Sequence, residues 1–184
     1  MNFDSAYEPL LSGEAQIFRS LLRAHILRKL RQQDLLIPAG MIITTDPNVK
    51  VSSGTSVLYG DLEQAFERFI TEFEGRHGEG IAHYLRGWPM SKTDVEPFVR
   101  STIEETFSAG AASWGHIAAV SAFITQVGLN CARHRLHVAI VPLVNYGAEM
   151  LGDRLSGFIR SNGGWAAFTL AFRGDRAEHH NTWG

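Results

Sequence analysis

The sequence predicts an all-α protein, a helical bundle in which a central apolar hairpin is surrounded by amphipathic helices. Three observations predict it. Apolar residues recur at spacings of three and four through most of the chain. Two long segments, residues 114–130 and 136–155, are apolar nearly all round, the pattern of buried helices. Glycines and prolines gather mainly between these periodic segments, as breaker residues do.

The elements follow in order. The first ten or so residues show no pattern. From Gly13 to Gln33, Ile17, Leu21, Ala24 and Arg28 share one helical row, with Phe18, Leu22, His25 and Leu30 beside it. Residues 34–56 carry Pro38, Gly40, Pro47 and Gly54 and predict a flexible loop, with Met41–Thr45 a candidate extended piece. A helix resumes at Asp61, where Leu62, Ala65, Phe66, Phe69, Ile70 and Phe73 repeat at three and four. Gly75, Gly78 and Gly80 predict that it breaks, with a shorter helical piece at Ile81–Leu85. Val95, Val99, Ile103 and Phe107 make a four-spaced row in the next helix, and Gly110 is a plausible stop. Ser113 caps the first apolar helix. The second, Leu136–Leu155, contains Pro142, which predicts a kink. Short helices over 156–161 and 165–172 complete seven or eight in one domain spanning 1–184, its core at about 14–173.

Composition excludes several classes. Of 184 residues, 45% are hydrophobic and 20% charged, an ordinary globular balance. Net charge is -2, so nothing advertises a nucleic-acid partner. The single cysteine, Cys131, cannot staple the fold, which suits a reducing cytosol. No signal peptide and no run of 18 apolar residues is visible. The polar end from Arg173 suggests a truncated or naturally soluble terminus. There is no Walker-type loop, nucleophile elbow or paired-carboxylate constellation, so no enzyme is predicted. His134 and His137 have helical spacing for a metal but no third ligand in view, and no metal or cofactor is expected. Trp114 and Trp165 taken singly read as core residues.

Two motifs carry more, because they occur jointly. Around Trp114 the chain reads Ser113-Trp114-Gly115-His116 before the first apolar helix; around Trp165 it reads Phe158-Ile159-Arg160-Ser161-Asn162-Gly163-Gly164-Trp165. The tryptophans lie 51 residues apart, room for two long helices between them. These segments resemble the BH-1 and BH-2 motifs of the Bcl-2 family of apoptosis regulators. Leu62, Ala65, Phe66 and Glu67 sit where that family keeps BH-3, and Phe18–Gln33 where it keeps BH-4.

The resemblance implies a Bcl-2-like bundle with a hydrophobic surface groove that accepts the amphipathic BH-3 helices of pro-apoptotic relatives, both Bak/Bax-like and BH-3-only types. By motif position its lining would be Phe69, Phe73, Phe107, Ser113, Gly115, His116, Ala119, Phe123 and Phe172, with Trp114, Gly163, Gly164 and Trp165 as structural residues. Gly115 would let a ligand backbone approach closely, and Gly163-Gly164 permits a sharp reversal. It also implies a cytoplasmic protein, at the mitochondrial outer membrane where a C-terminal anchor exists. None is seen in this sequence.

The departures are informative. His116 replaces the arginine that pairs with an aspartate of the bound helix. It lacks the guanidinium fork and is only partly charged at neutral pH, so binding is expected to depend on pH. One extra alanine precedes Trp114, altering the corner of the groove. In the chain's own BH-3 segment, Phe66 fills the place of the small residue and Glu67 that of Asp, which blunts it as a donor helix. An acceptor, pro-survival role is therefore expected. The alternatives are a pore-forming pro-apoptotic effector of the same family and, from another class, a helical enzyme or small-ligand-binding domain with coincidental motifs.

Overall fold

The computed structural model describes residues 13–42, 45–53, 55–88, 91 and 93–174. Expectations for the first dozen residues, the tail from 175 and positions 43, 44 and 54 lie outside the described residues.

Among the described residues six α-helices form the bundle: α1 (Gly13–Gln32), α2 (Tyr59–Arg86), α3 (Val95–Ser108), α4 (Trp114–Arg133), α5 (Ile140–Ser161) and α6 (Gly164–Phe172), with a 3-10 turn at His137–Ala139 leading into α5. α4 is the buried centre, with thirteen of its residues out of water, from Ile117 to Ala132. It packs on α1, α2, α3 and α5. α5 completes the apolar hairpin and lies along α1, where the two backbones nearly touch. A Cβ on Gly152 would come within 2.7 Å of the Ala15 nitrogen, so only glycine permits this crossing.

Four expectations need correction. Segment 34–56 is not simply a loop. It holds β1 (Lys50–Ser53), which pairs antiparallel with β2 (Thr55–Leu58), Val51 opposite Val57. The cross-strand Val51–Val57 pair and burial of Val51 against the core favour extended backbone despite the Ser-Gly-Thr composition. Met41 and Ile42 are not strand. Second, α2 does not break at its glycines. Gly75 and Gly80 have open space where a Cβ would sit, and burial of Leu85 with the Arg76–Glu72 pair at 2.6 Å carries the helix on. Third, Pro142 falls in the first turn of α5, where its missing N–H costs nothing, so it makes no kink. Fourth, α5 runs on through 156–161, because Val144, Ala148, Leu151, Leu155 and Ile159 form one unbroken buried stripe.

Candidate helix-binding groove

The groove arises where the C-terminal half of α2 and the inner face of α3 diverge over α4. A cavity of about 300 Å³ opens between them. Phe73, His77, Ile81 and Tyr84 of α2 form one wall at helical spacing. Thr102 and Thr106 of α3 form the other, and Ala119 and Phe123 of α4 form the floor. One end is closed by aromatic stacking. Phe98 lies on Trp88 at 3.8 Å between centroids and on Tyr84 at 5.8 Å, and meets Phe123 at 5.8 Å.

The other end is the α3–α4 corner. Ser113 caps α4 with extended backbone, its Oγ accepting from the His116 backbone N–H at 3.4 Å. The same Oγ is 2.9 Å from His116 Nδ1. This holds the imidazole parallel to Phe107, at 5.7 Å and 8°. The Arg154 guanidinium of α5 lies over the same Phe107 ring, 6.0 Å from its centroid. An arginine thus stands beside the position where sequence reasoning found only a histidine. Gly115 is half-buried in the first turn of α4.

Beneath the groove the motif residues are structural. Trp114 packs edge-on against Phe158 at 4.9 Å and on Phe168 at 5.2 Å. Trp165 is fully buried, and its Nε1–H donates to Glu14 Oε2 at 2.5 Å, tying α6 to the start of α1. Burial pushes the Glu14 carboxyl up, against the pull of that hydrogen bond and of Arg160. Gly163 and Gly164 both have positive φ, +86° and +68°, which is the reversal between α5 and α6. Phe69 and Phe172 do not face the cavity. Phe69 is wholly buried, 5.2 Å from Phe168 and 4.5 Å from Phe172. These two, expected in the lining, are core as the bundle stands.

The BH-3-like segment is also shut in. Leu62, Ala65 and Phe66 are buried. Glu67 faces α1, where His25 Nδ1 lies 2.5 Å from its Oε2 and Arg28 2.7 Å from its Oε1. Glu74, two turns further along the same face, reaches His25 Nε2 at 3.4 Å and Lys29 at 2.7 Å. Burial pulls the His25 pKa down, but hydrogen bonds and charge from both glutamates outweigh it and the net shift is upward. Burial likewise raises both carboxyls, and the bonds to His25, with Arg28 or Lys29, reverse the effect and hold them below the usual carboxylate range. Four of the groove residues that sequence reasoning missed, His77, Ile81, Tyr84 and Thr102, lie among or beyond the glycines or on a polar face. A stripe at 73, 77, 81 and 84 was the available signal.

Other candidates resolve plainly. Cys131 is buried, and desolvation pushes its thiol up to about 11, so it is an inert packed thiol. His134 Nδ1 lies 2.9 Å from the Asn130 carbonyl. Among the described residues no group of three His, Cys, Asp or Glu could hold a metal, and no helix is long and apolar enough to cross a membrane.

Comparison with known proteins follows the same lines. The family model of the Bcl-2 apoptosis regulator proteins matches residues 66–165. No curated protein matches the sequence. The fold is similar to that of Trichoplax adhaerens trBcl-2L2 bound to trBak BH3, at 17% identity and TM-score 0.68, covering 86% of this chain and 99% of that one. It is also similar to chicken BOK, at 20% identity and TM-score 0.64, covering 86% and 95%. At such identities the likeness is one of fold.

Proposed function

The chain belongs to the Bcl-2 family of apoptosis regulators, and from that premise we propose that it is a pro-survival member, sequestering the BH-3 helices of Bak/Bax-like and BH-3-only relatives in the α2–α3–α4 groove. One observation carries the reading. The chain has an open apolar trench, while its own BH-3 segment is buried and tied to α1. An acceptor needs the first and not the second exposed.

The groove chemistry supports it. A bound amphipathic helix inserts apolar anchors at i, i+3 or i+4, and i+7. Phe73, Ile81 and Phe123 offer apolar contacts for them, and Phe107 lies at the corner. The acidic residue of that helix would meet His116 and Arg154, both beside the Phe107 ring. Arg154 supplies the permanent charge that His116 lacks. A structural neighbour bound to a Bak BH3 supports the same class of partner. The site of action that suits this role is the cytosol and the mitochondrial outer membrane.

The test is titration with a panel of BH-3 peptides by calorimetry, with liposomes as a second arm. Binding at micromolar Kd or tighter, with protection of liposomes from an activated effector, is the expected result. Leakage caused by the protein itself would assign it to the effector class, and absence of binding at tens of micromolar would remove the groove reading.

A further inference from the structure

A second cavity lies on the opposite side of α3, between it and α5. Its volume is about 390 Å³, within the size range of small-molecule sites. Val95 and Val99 of α3, with Val138 and Leu143 across from them, make its apolar surface. Two of its lining residues carry an anomalous polar atom. The Asn145 Oδ1 and the Tyr146 hydroxyl are both buried, and neither has a hydrogen-bond partner among the described residues. Native folds satisfy such groups almost always, and an exception asks for an explanation.

We propose that this cavity is a second ligand site, taking a small amphiphilic amine with an alkyl or aromatic body and a protonated nitrogen. The polar groups are biased towards acceptors. Glu96 and Glu149 stand at the rim. A carboxylate or phosphate would face Glu96 and Glu149, whereas an ammonium donates to Asn145 and Tyr146 and is offset by the glutamates. The rim already holds a cation in this way. Arg100 pairs with Glu96 at 3.1 Å while its guanidinium lies 4.8 Å over the Tyr146 ring. Its side chain is half exposed. The Tyr146 pKa is raised, first by burial, so its hydroxyl stays protonated and remains available as donor or acceptor. The apolar walls take the body of the ligand. None of this depends on what the groove binds.

The test uses the intact chain and three probes with one apolar body: phenethylamine, 2-phenylethanol and 3-phenylpropionate. Methyl NMR titration reads Val95, Val99, Val138 and Leu143. Saturable shifts are expected with the amine, weaker ones with the alcohol and none with the acid. Glu149→Gln should weaken the amine by about threefold to fivefold, the scale of an exposed charge contact. Val138→Trp, at a position 67% exposed, should plug the mouth and abolish the shifts with melting unchanged. Equal binding of all three probes, no saturable shift at about 10 mM, or shifts confined to Ile81 and its groove neighbours would each overturn the proposal.

Discussion

The two halves of α2 are one continuous helix with opposite duties. From Tyr59 to Glu74 it is fastened. Leu62, Ala65, Phe66, Phe69 and Ile70 are in the core, and Glu67 and Glu74 grip His25, Arg28 and Lys29 of α1. From Gly75 to Arg86 only Leu85 is buried, and His77, Ile81 and Tyr84 border the groove. The helix is thus an anchor at one end and a binding wall at the other. Stability and binding should be separable along it. Substitutions in the first half should unfold the protein, and those in the second should spare the fold and empty the groove.

The largest effect expected is at Phe66. It is 1% exposed and packs 6.5 Å from Phe168. Phe66→Ala should cost about 3–5 kcal/mol of unfolding free energy, the scale for a buried aromatic truncated to alanine. Tyr84→Ala, at a site 55% exposed, should cost less than about 1 kcal/mol by the same measurement. Chemical denaturation of both variants checks the contrast. Equal losses would mean that the two halves are not distinct.

Next comes the α1–α2 clasp, whose sign with pH can be worked out. The pKa of His25 is raised above its ordinary 6.5, so its contribution is complete below about that pH and is lost as pH rises through the raised value. The pKa values of Glu67 and Glu74 are lowered below 4.5, so their contribution is complete above that pH and is lost as pH falls through the lowered values. The clasp is therefore strongest between pH 4.5 and 6.5. His25→Leu should cost about 2 kcal/mol at pH 6, because it removes a partner from two half-buried carboxylates. The urea midpoint of the wild type should fall between pH 6.5 and 9 more steeply than that of the variant. Parallel decline would sink the assignment.

Much of this contrast was legible in the sequence. Leu62, Ala65 and Ile70 showed the inward face of the fastened half, because apolar spacing reports burial, while the same spacing left Phe66, Phe69 and Phe73 open between core and groove wall. The two tryptophans and the Gly163-Gly164 reversal were equally plain, since few residues other than glycine tolerate positive φ. The binding half was not. Three glycines in six residues look like a break locally, and only tertiary packing of Leu85 and the Trp88–Phe98 stack shows why the helix persists. Phe69 was misplaced for a related reason. Spacing puts it on the inward side of α2, and only the positions of Phe168 and Phe172 decide between core and groove. The clasp was invisible because His25 and Glu67 are 42 residues apart, and nothing local pairs them.

In the binding half, Ile81→Asp should leave melting within a degree or two of wild type and weaken BH-3 peptide binding about tenfold, by setting a carboxylate where an apolar anchor sits. Fluorescence anisotropy with a labelled peptide, beside a thermal melt, reads both. An unchanged Kd would show that the helix does not lie along this wall.

The smallest effect expected belongs to the charge at the groove's corner. His116 and Arg154 both rest on Phe107, one fixed by the Ser113 cap and the other exposed. Exposed charge pairs contribute about 0.2–1 kcal/mol, so Arg154→Gln should weaken a peptide carrying the acidic BH-3 residue by about twofold to fivefold. It should leave a peptide with Asn at that residue unaffected, which is the readout that a merely structural role for Arg154 would not produce. His116→Arg should tighten the acidic peptide and make Arg154→Gln nearly silent, because either guanidinium satisfies the same carboxylate. If the two substitutions instead add independently, Arg154 is not standing in for the missing BH-1 arginine, and the two side chains act on separate points of the ligand.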